Sequence, residues 1–269
     1  MRRFSSDYLR DTRRGMWEDR SALAPLALDS RSRILDVGCG TGELTRVLRE
    51  ESDAEVVAMD ADRALLAEAE ADARALGDAT RLPFADDAFD LVVCQALLIN
   101  LPDPLAAVEE FARVSADLVA CVEPDNSEVV VESSVAAEAP LAKRARDTYI
   151  AGVETDVTLG SGAADLFADA DLTGVESRRY EHERTVAPPY DEAALAAAKA
   201  KAAGTRIVEQ TPTLRRGGLS ATAVDELKNE WRSMGRTVVG QMGERTYERR
   251  AVVPFYVVVG RVASDETGD

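Results

Sequence analysis

The chain has 269 residues, enough for one large α/β domain or for a domain with a smaller cap. Its 49 acidic and 32 basic residues give a net charge of −17, which disfavours nucleic acid as a partner and predicts a salt-adapted, halophilic protein. No apolar run approaches the ~20 residues of a membrane-spanning helix. The residues after Met1 do not resemble a signal peptide, so we expect a cytoplasmic protein with no membrane partner.

Residues 5–28 have the spacing of one or two amphipathic helices, with Tyr8 and Trp17 among the apolar positions. Such a segment commonly packs on the edge of a sheet. Arginines lie between the apolar positions. Together with Arg2 and Arg3 they form a basic cluster, which weakens the argument against nucleic acid.

A glycine-rich turn follows an apolar strand, Arg33–Val37, and precedes a helix, Glu43–Glu50. The turn has the spacing G-x-G-x-G, whereas a dinucleotide-binding turn has G-x-G-x-x-G. Glycines let a ligand approach the main chain and the helix N-terminus. Asp36, two residues before the first glycine, would repel a pyrophosphate and suits a cationic amino-acid group. The turn therefore departs from the NAD pattern.

A second strand, Glu55–Met59, ends at Asp60 and completes a strand–helix–strand unit. This unit predicts a parallel sheet with ligands at the carboxyl ends of its strands. Asp60 lies 22 residues beyond Gly38, where an acidic side chain can accept hydrogen bonds from both ribose hydroxyls of an adenosine. A solvated loop carboxylate is the alternative. A helix is predicted from Arg63 to about residue 71.

The run Asp36–Gly42 resembles motif I of the class I S-adenosylmethionine-dependent methyltransferases, and the similarity extends over residues 33–125. A second segment, Ala75–Phe84, is similar to the G-D-A-x-x-L-P-F stretch of the small-molecule, type 11-like members. The resemblance implies that S-adenosyl-L-methionine is the cofactor, that Asp78 and the main chain of Ala79 contact its adenine, and that an N-terminal helix with an arginine covers its methionine part. The implied cofactor contacts are Asp36, Gly38, Gly40, Gly42, Asp60, Ala61, Asp78, Ala79, Gln95, Tyr8, Arg14 and Trp17.

Two further strands, Phe89–Cys94 and Leu118–Val122, are separated by a helix at Pro104–Val114. Ile99 and Asn100 stand where relatives often have a histidine pair, which excludes a histidine base there. The second strand ends at the edge where α/β active sites form. Its polar residues are candidates for acceptor contact or general base, with a simple turn as the alternative. These candidates are Glu123, Asp125 and Asn126.

The resemblance implies a Rossmann-like α/β fold with a mostly parallel sheet, an antiparallel strand seven and helical cap insertions. We predict the following parts: an N-terminal helical segment over the cofactor site (1–30), a cofactor-binding core (31–125), cap insertions (126–160 and 187–250), completion of the core sheet (161–186 and 251–263) and a polar tail (264–269). The later elements are predicted as helices at Ser133–Gly152, Gly162–Ala170, Glu192–Ala203 and Ala223–Arg236, and as strands at Val175–Val186 and Ala251–Val262.

The remaining reactive side chains are few. Cys39, Cys94 and Cys121 lie among apolar residues and are expected to be buried free thiols. His182 is the only histidine; because its neighbours are charged, we expect a surface residue rather than a base. One histidine and three scattered cysteines argue against a zinc or iron site.

The resemblance implies transfer of a methyl group to a small-molecule acceptor. The sequence shows no evident nucleophile or triad, which agrees with direct in-line transfer. One alternative is a methyltransferase that acts on RNA or protein through the basic N-terminal arm. Another is a non-catalytic α/β nucleotide-binding protein. Replacing Asp60 by alanine is expected to weaken cofactor binding more than about tenfold and to leave the fold intact.

Overall fold

The computed structural model describes residues 5–263. Residues 1–4 and the predicted polar tail, 264–269, lie outside the described residues. The chain divides into two compact units. The sheet unit contains the described residues up to Asp125, Leu159–Tyr180 and those from Phe255 onward, and the helical unit contains Asn126–Thr158 and Glu181–Pro254.

The secondary structure alternates strands and helices up to Pro124 and is mainly helical after it. The α-helices are α1 (Ser6–Arg13), α2 (Glu43–Glu51), α3 (Arg63–Leu66), α4 (Pro104–Val114), α5 (Glu138–Gly152), α6 (Ala163–Asp169), α7 (Glu192–Ala203), α8 (Thr205–Arg216) and α9 (Ala221–Gly243). The strands are β1 (Arg33–Val37), β2 (Glu55–Asp60), β3 (Ala73–Leu76), β4 (Phe89–Gln95), β5 (Ser115–Pro124), β6 (Val130–Ser133), β7 (Thr173–Val186) and β8 (Arg249–Arg261). Short 3-10 helices lie at Arg20–Leu26, Leu28–Ser30, Leu98–Asn100 and Gly160–Gly162.

The sheet unit is built on strands in the order β3-β2-β1-β4-β5-β8. The first five are parallel, and β8 is antiparallel to β5. Leu35 at the centre of β1 pairs with Val57 on one side and Val92 on the other. The inner strands are buried on both faces, which explains their continuous apolar runs. The predicted fold class, a mostly parallel sheet with an antiparallel strand seven (here β8), is confirmed.

The parallel order brings the carboxyl ends of the inner strands to one edge. β1 ends at Val37, β2 at Asp60, β4 at Gln95 and β5 at Pro124. Polar residues at or just beyond these ends therefore lie at the edge where open α/β sheets bind ligands.

The helical unit packs α5, α7, α8 and α9 around a core that includes Leu141, Leu227, Trp231 and Val238. The first part of β8 pairs antiparallel with β6 in this unit. Helices α7 and α9 approach closely, since a Cβ on Gly235 would lie 2.4 Å from the main-chain nitrogen of Ala202. Only a glycine at this point lets the two backbones come so near.

A buried carboxylate ties the helical unit together. Glu138 of α5 is 2% exposed, and its Oε2 accepts hydrogen bonds from Ser133 Oγ at 2.7 Å and from Tyr247 Oη at 2.8 Å. Its Oε1 pairs with the ammonium of Lys201 on α7 and lies 3.2 Å from Arg249 Nε on β8. The cations and hydroxyls hold the pKa of Glu138 below its usual value despite the burial, which acts the other way.

Several elements differ from the sequence-based prediction. The helix predicted from Arg63 to about residue 71 is the short α3, and the residues that follow form the edge strand β3. Neither β6 nor α8 was predicted. Helix α9 ends at Gly243 rather than at Arg236. No helix in the described part of the chain has the length and apolar character needed to cross a membrane.

The expectation that His182 is a surface residue is wrong. It is 2% exposed and lies on β7, where successive residues point to opposite faces. The adjacent Glu181 and Glu183 are exposed on the opposite face of the strand. The three cysteines are free and buried, as predicted.

Candidate functional site

The glycine turn between β1 and α2 is closely packed. Gly38 has φ 69°, and a Cβ there would lie 2.8 Å from Cδ1 of Leu97. Gly42 has φ 86°, and a Cβ there would lie 2.8 Å from the Cα of Ala69. Larger residues would be strained in backbone and would collide with these neighbours. Gly40 packs under Leu9 of α1, whose Cδ1 lies 3.0 Å from the corresponding Cβ position.

Asp36 lies inside this turn and is 1% exposed. Its Oδ2 accepts a hydrogen bond from Thr45 Oγ1 at 2.6 Å. Its Oδ1 is buried without a hydrogen-bond partner among the described residues. Burial raises the pKa of Asp36 to about 7, while the Thr45 hydrogen bond and the charge of Arg13 act in the opposite direction. A buried acceptor without a partner is costly, and this oxygen is able to accept a hydrogen bond from a ligand.

Asp60 joins the end of β2 to the glycine turn. It is 7% exposed, and its Oδ2 accepts a hydrogen bond from the Gly40 amide at 2.9 Å. Its Oδ1 accepts from the Asp62 amide at 2.7 Å. Each carboxylate oxygen retains a further lone pair, so Asp60 can still accept hydrogen bonds from a ligand. Ala61, which follows, is exposed.

Asp78 and Ala79 follow β3, whose last residue pairs with Asp60. The exposed Asp78 accepts hydrogen bonds at Oδ1 from the amide of Thr80 at 3.0 Å and from its hydroxyl at 2.9 Å. Its second oxygen has no such bond in this Asx turn. Ala79 is buried, at 7% exposure. Asp78 and Ala79 therefore lie just beyond the carboxyl end of β3, at the same edge of the sheet as Asp60.

Glu110 and Arg113 of α4 form hydrogen bonds with the loop after Ala79, and the sequence did not predict these contacts. Arg113 donates to the carbonyl oxygens of Leu82 at 3.1 Å and Phe84 at 3.0 Å. It also pairs with Glu110, whose Oε2 accepts from the Leu82 amide at 2.7 Å. An Arg–Glu pair one helical turn apart, at positions i and i+3, was the available signal.

Gln95 at the end of β4 is 4% exposed, and its side-chain amide lies 2.8 Å from Sδ of Met16. A tight turn follows, in which Ala96 has φ 48°. Asn100 closes this turn by donating from Nδ2 to the Ala96 carbonyl at 2.7 Å. Gln95 is therefore fixed beside the N-terminal segment.

The structure gives Glu123 a different role from the one expected. This carboxylate is fully buried and accepts hydrogen bonds from the amides of Leu97 and Leu98, both at 2.9 Å, and of Ile99 at 3.4 Å. Burial raises the pKa of Glu123 to about 7, and the three amides oppose the rise. Because both oxygens are engaged by main-chain donors, Glu123 is not placed as an acceptor contact.

Asp125 and Asn126 belong to different units. Asp125 is half-buried just beyond the end of β5 in the sheet unit. Asn126 belongs to the helical unit, where its Nδ2 donates to the Val157 carbonyl at 2.7 Å. The side-chain amide of Asn126 is thus used to close a loop of that unit.

In the N-terminal segment, Arg13 rather than Arg14 lines the cavity described below. Tyr8 and Arg14 are exposed. Trp17 is 6% exposed and stacks on Tyr180, with ring centroids 6.3 Å apart, and Tyr180 Oη donates to the Met16 carbonyl at 2.6 Å. Burial lowers the pKa of Arg13, while the charges of Glu43, Asp36 and Glu123 oppose this.

Arg13 and Trp17 border a cavity of about 360 Å³. Its other lining residues are Gly15, Glu18, Arg20, Glu43 and Arg46. Arg13 lies four residues after the buried Leu9, so helical spacing puts both on one face of α1. That spacing was the signal that could have identified Arg13 from the sequence.

The strand order and the glycine turn after β1 are those of a Rossmann-like α/β fold. Residues 35–118 match the family model described as a methyltransferase domain. This stretch of the chain is thus a methyltransferase domain.

Known proteins are similar over this domain. An uncharacterized methyltransferase of Schizosaccharomyces pombe is 35% identical over 111 residues, which cover 35% of this chain and 40% of that protein. A demethylmenaquinone methyltransferase of Mycobacterium sp. (strain KMS) is 41% identical over 98 residues, which cover 36% of this chain and 42% of that protein. The chain therefore matches about two fifths of the length of these curated relatives.

The fold as a whole is also found among solved structures. That of a putative methyltransferase from Bacillus halodurans covers 91% of this chain and 100% of its own, with a TM-score of 0.52. At 15% sequence identity, this similarity concerns the fold alone.

Proposed function

We propose that this protein transfers a methyl group from S-adenosyl-L-methionine to a small-molecule acceptor by direct in-line displacement. The observation that carries the proposal is the partnerless Oδ1 of Asp36, buried inside a glycine turn at the carboxyl edge of a parallel sheet. A buried carboxylate there fits the cationic amino-acid part of that cofactor and opposes a pyrophosphate.

The neighbouring residues fit the remaining parts of the cofactor. Asp60 has lone pairs free for ribose hydroxyls while its carboxylate holds the glycine turn. Asp78 offers a carboxylate oxygen to the adenine amino group, and the Ala79 main chain lies next to it. Arg13 replaces Arg14 as the cation proposed for the methionine carboxylate, since it borders the cavity beside Glu43.

Bound S-adenosylmethionine supplies an electrophilic methyl group on its sulfonium centre. The protein's task is then to orient the acceptor, and orientation alone can lower a barrier by ~7–11 kcal/mol in favourable cases. The buried Gln95 is proposed to orient cofactor or acceptor at the end of β4. Asp125 remains the proposed contact for an acceptor proton, whereas Glu123 is already bonded to main-chain amides.

A small molecule is the acceptor class that the similar proteins favour. One of them is named a demethylmenaquinone methyltransferase, and its substrate by that name is a small molecule. We also propose that the segments 126–160 and 187–250 serve as caps over the substrate. The net charge of −17 further disfavours RNA.

Calorimetric titration tests the cofactor. The purified full chain is titrated in molar KCl with S-adenosylmethionine, S-adenosylhomocysteine and NAD in turn. We expect the two sulfur compounds to bind and NAD not to bind. If neither sulfur compound binds, the proposal is wrong at its centre. After binding is established, metabolites are screened for methyl transfer in the presence of S-adenosylmethionine.

A further inference from the structure

The buried carboxylate of Glu123 accepts hydrogen bonds from the main chain of one turn of the sheet unit. Its Oε1 accepts hydrogen bonds from the amides of Leu97 and Leu98, both at 2.9 Å, and its Oε2 faces the amide of Ile99 at 3.4 Å. Consecutive main-chain donors that converge on one fully buried carboxylate fix the path of the backbone through the turn.

The turn from Ala96 to Asn100 contains an unfavourable backbone conformation. Ala96 has φ 48°, a region that residues with a Cβ rarely occupy and that persists only when the surroundings impose it. Its amide donates to the Val122 carbonyl at 2.9 Å, and its carbonyl accepts from Asn100 Nδ2 at 2.7 Å. Strand β5 therefore anchors the turn at both Val122 and Glu123.

The same turn reaches the glycine turn through one side chain. Leu97, which is 7% exposed, places Cδ1 only 2.8 Å and Cδ2 3.0 Å from the position that a Cβ on Gly38 would occupy. The amide of Leu98 donates to the same carboxylate and Leu98 is 1% exposed, but its side chain is not among the three atoms nearest to a Cβ on Gly38. Leu97 is thus the link between the two turns.

We infer that Glu123 is a positioning residue, which fixes the turn from Ala96 to Asn100 so that Leu97 presses on Gly38 and shapes the glycine turn for the cofactor. Glu123 acts on the cofactor only through Leu97. The inference rests on the proposed function, because its readout is cofactor affinity.

A double-mutant cycle tests the link. Affinity for S-adenosylhomocysteine is measured by calorimetry for the wild type, Glu123→Gln, Leu97→Ala and the double variant, alongside urea unfolding. Each single change is expected to weaken binding by about tenfold, and the double variant by about the same factor rather than about a hundredfold. A residue that only supports the fold would lower stability without this shared loss of affinity.

Leu98→Ala is the matched control, because it leaves a cavity of the same size one residue further on. We expect it to lower stability by a similar amount and to change affinity less than about twofold. Additive losses in the Glu123→Gln/Leu97→Ala cycle would overturn the inference, as would wild-type affinity in Glu123→Gln. If Glu123→Gln does not fold, equal affinity losses in Leu97→Ala and Leu98→Ala overturn it. A wild type that binds no S-adenosylhomocysteine refutes the proposed function instead.

Discussion

The two carboxyls with the most strongly raised pKa, Asp36 and Glu123, lie in the candidate site. Burial raises the pKa of each to about 7, from ordinary values of 3.8 and 4.5. Between those values and pH 7 the folded protein binds more protons than the unfolded chain does. The contribution of these groups to stability is therefore complete at acidic pH and is lost as the pH rises through about 7.

Ligand affinity should show the opposite dependence on pH. A cationic amino group is held by the charged form of Asp36, so affinity for S-adenosylhomocysteine is expected to rise between about pH 6 and pH 8, with proton release on binding. Arg13 and Asp60 are the charged groups that face Asp36, and Arg13 opposes the raised pKa. Calorimetry in buffers of different ionisation enthalpy measures the release. In Asp36→Asn the affinity should be low and flat with pH; an unchanged profile would contradict the assignment.

Arg13 and Arg14 offer a matched pair of charge changes. Arg13 borders the cavity beside Glu43, and Arg14 is exposed. Arg13→Met is expected to weaken binding of S-adenosylhomocysteine by about tenfold through loss of a charged hydrogen bond. Binding of 5′-methylthioadenosine, which lacks the carboxylate, should be unaffected. Arg14→Met should change neither affinity. Equal losses for the two ligands in Arg13→Met would place the carboxylate elsewhere.

Asp60 serves two purposes, and its replacement should show both. Asp60→Ala is expected to weaken cofactor binding by more than about tenfold, since ribose acceptors are lost. The structure adds a second effect: the amides of Gly40 and Asp62 also lose their acceptor, so stability should fall by ~1–3 kcal/mol. The sequence predicted that Asp60→Ala would leave the fold intact. The structure indicates instead that the variant folds with a less stable glycine turn.

Asp62→Ala provides the comparison for Asp60→Ala. Asp62 caps α3 by accepting from the Ala64 amide at 2.8 Å, so its loss should cost ~1 kcal/mol in urea unfolding. Cofactor affinity, measured by calorimetry, should be almost unchanged. If both variants lost affinity equally, Asp60 would have only a structural role.

At the scale of elements, the helical unit contains two glycines in one helix that should respond in opposite ways to alanine. A Cβ on Gly235 of α9 would lie 2.4 Å from main-chain atoms of α7, which cannot move aside without separating the helices. Gly235→Ala should therefore destabilise the protein by several kcal/mol, on the order of 2 to 4. A Cβ on Gly240 would meet no heavy atom within 4 Å among the described residues.

Gly240→Ala should accordingly stabilise the protein by up to ~1 kcal/mol, because alanine favours the helix. Urea unfolding of both variants measures the difference. A tolerated alanine at Gly235 would mean that α7 and α9 pack less closely than the structure shows.

The sequence predicted elements well where pattern and spacing agreed. The buried Ile34 and Leu35 point to opposite faces of the sheet, and the glycines after β1 favour a sharp turn, so β1 and α2 were clear. Helix α8 was missed because Pro212 interrupts its pattern, although the structure accommodates that proline within Thr205–Arg216. Strand β6 has only four residues, and none of them is buried.

Side-chain roles within the site were harder to predict than its location. His182 and Tyr180 share one face of β7, a period-two signal that the charged neighbours obscured. Glu123 lies at the end of β5, where a catalytic carboxylate is also found in α/β proteins. The presence of a glutamate in the sequence does not distinguish a general base from a residue that accepts hydrogen bonds from main-chain amides. That distinction depends on the turn after Gln95, which folds back over β5.

At the scale of the whole molecule, charge should control stability. The excess of 49 acidic over 32 basic residues leaves a net −17, and self-repulsion at this charge opposes the compact state. Urea, which is uncharged, is used as denaturant at KCl concentrations from about 0.1 M to about 1 M, over which the Debye length falls from ~10 Å to ~3 Å. The unfolding midpoint is expected to rise with KCl. A midpoint independent of salt would contradict salt adaptation.

The path of the chain through its two units has a consequence for synthesis. The sheet unit is begun by the first 125 residues, but β8, the strand that pairs with β5, includes Phe255–Arg261 and leaves the ribosome only after the helical unit has been made. Until then β5 presents an open edge with apolar side chains that are fully buried in the finished protein, Val119 and Cys121 among them. Nascent chains with such an edge associate readily. We therefore expect the incomplete chain to be most prone to association at β5 until Phe255–Arg261 has been synthesised.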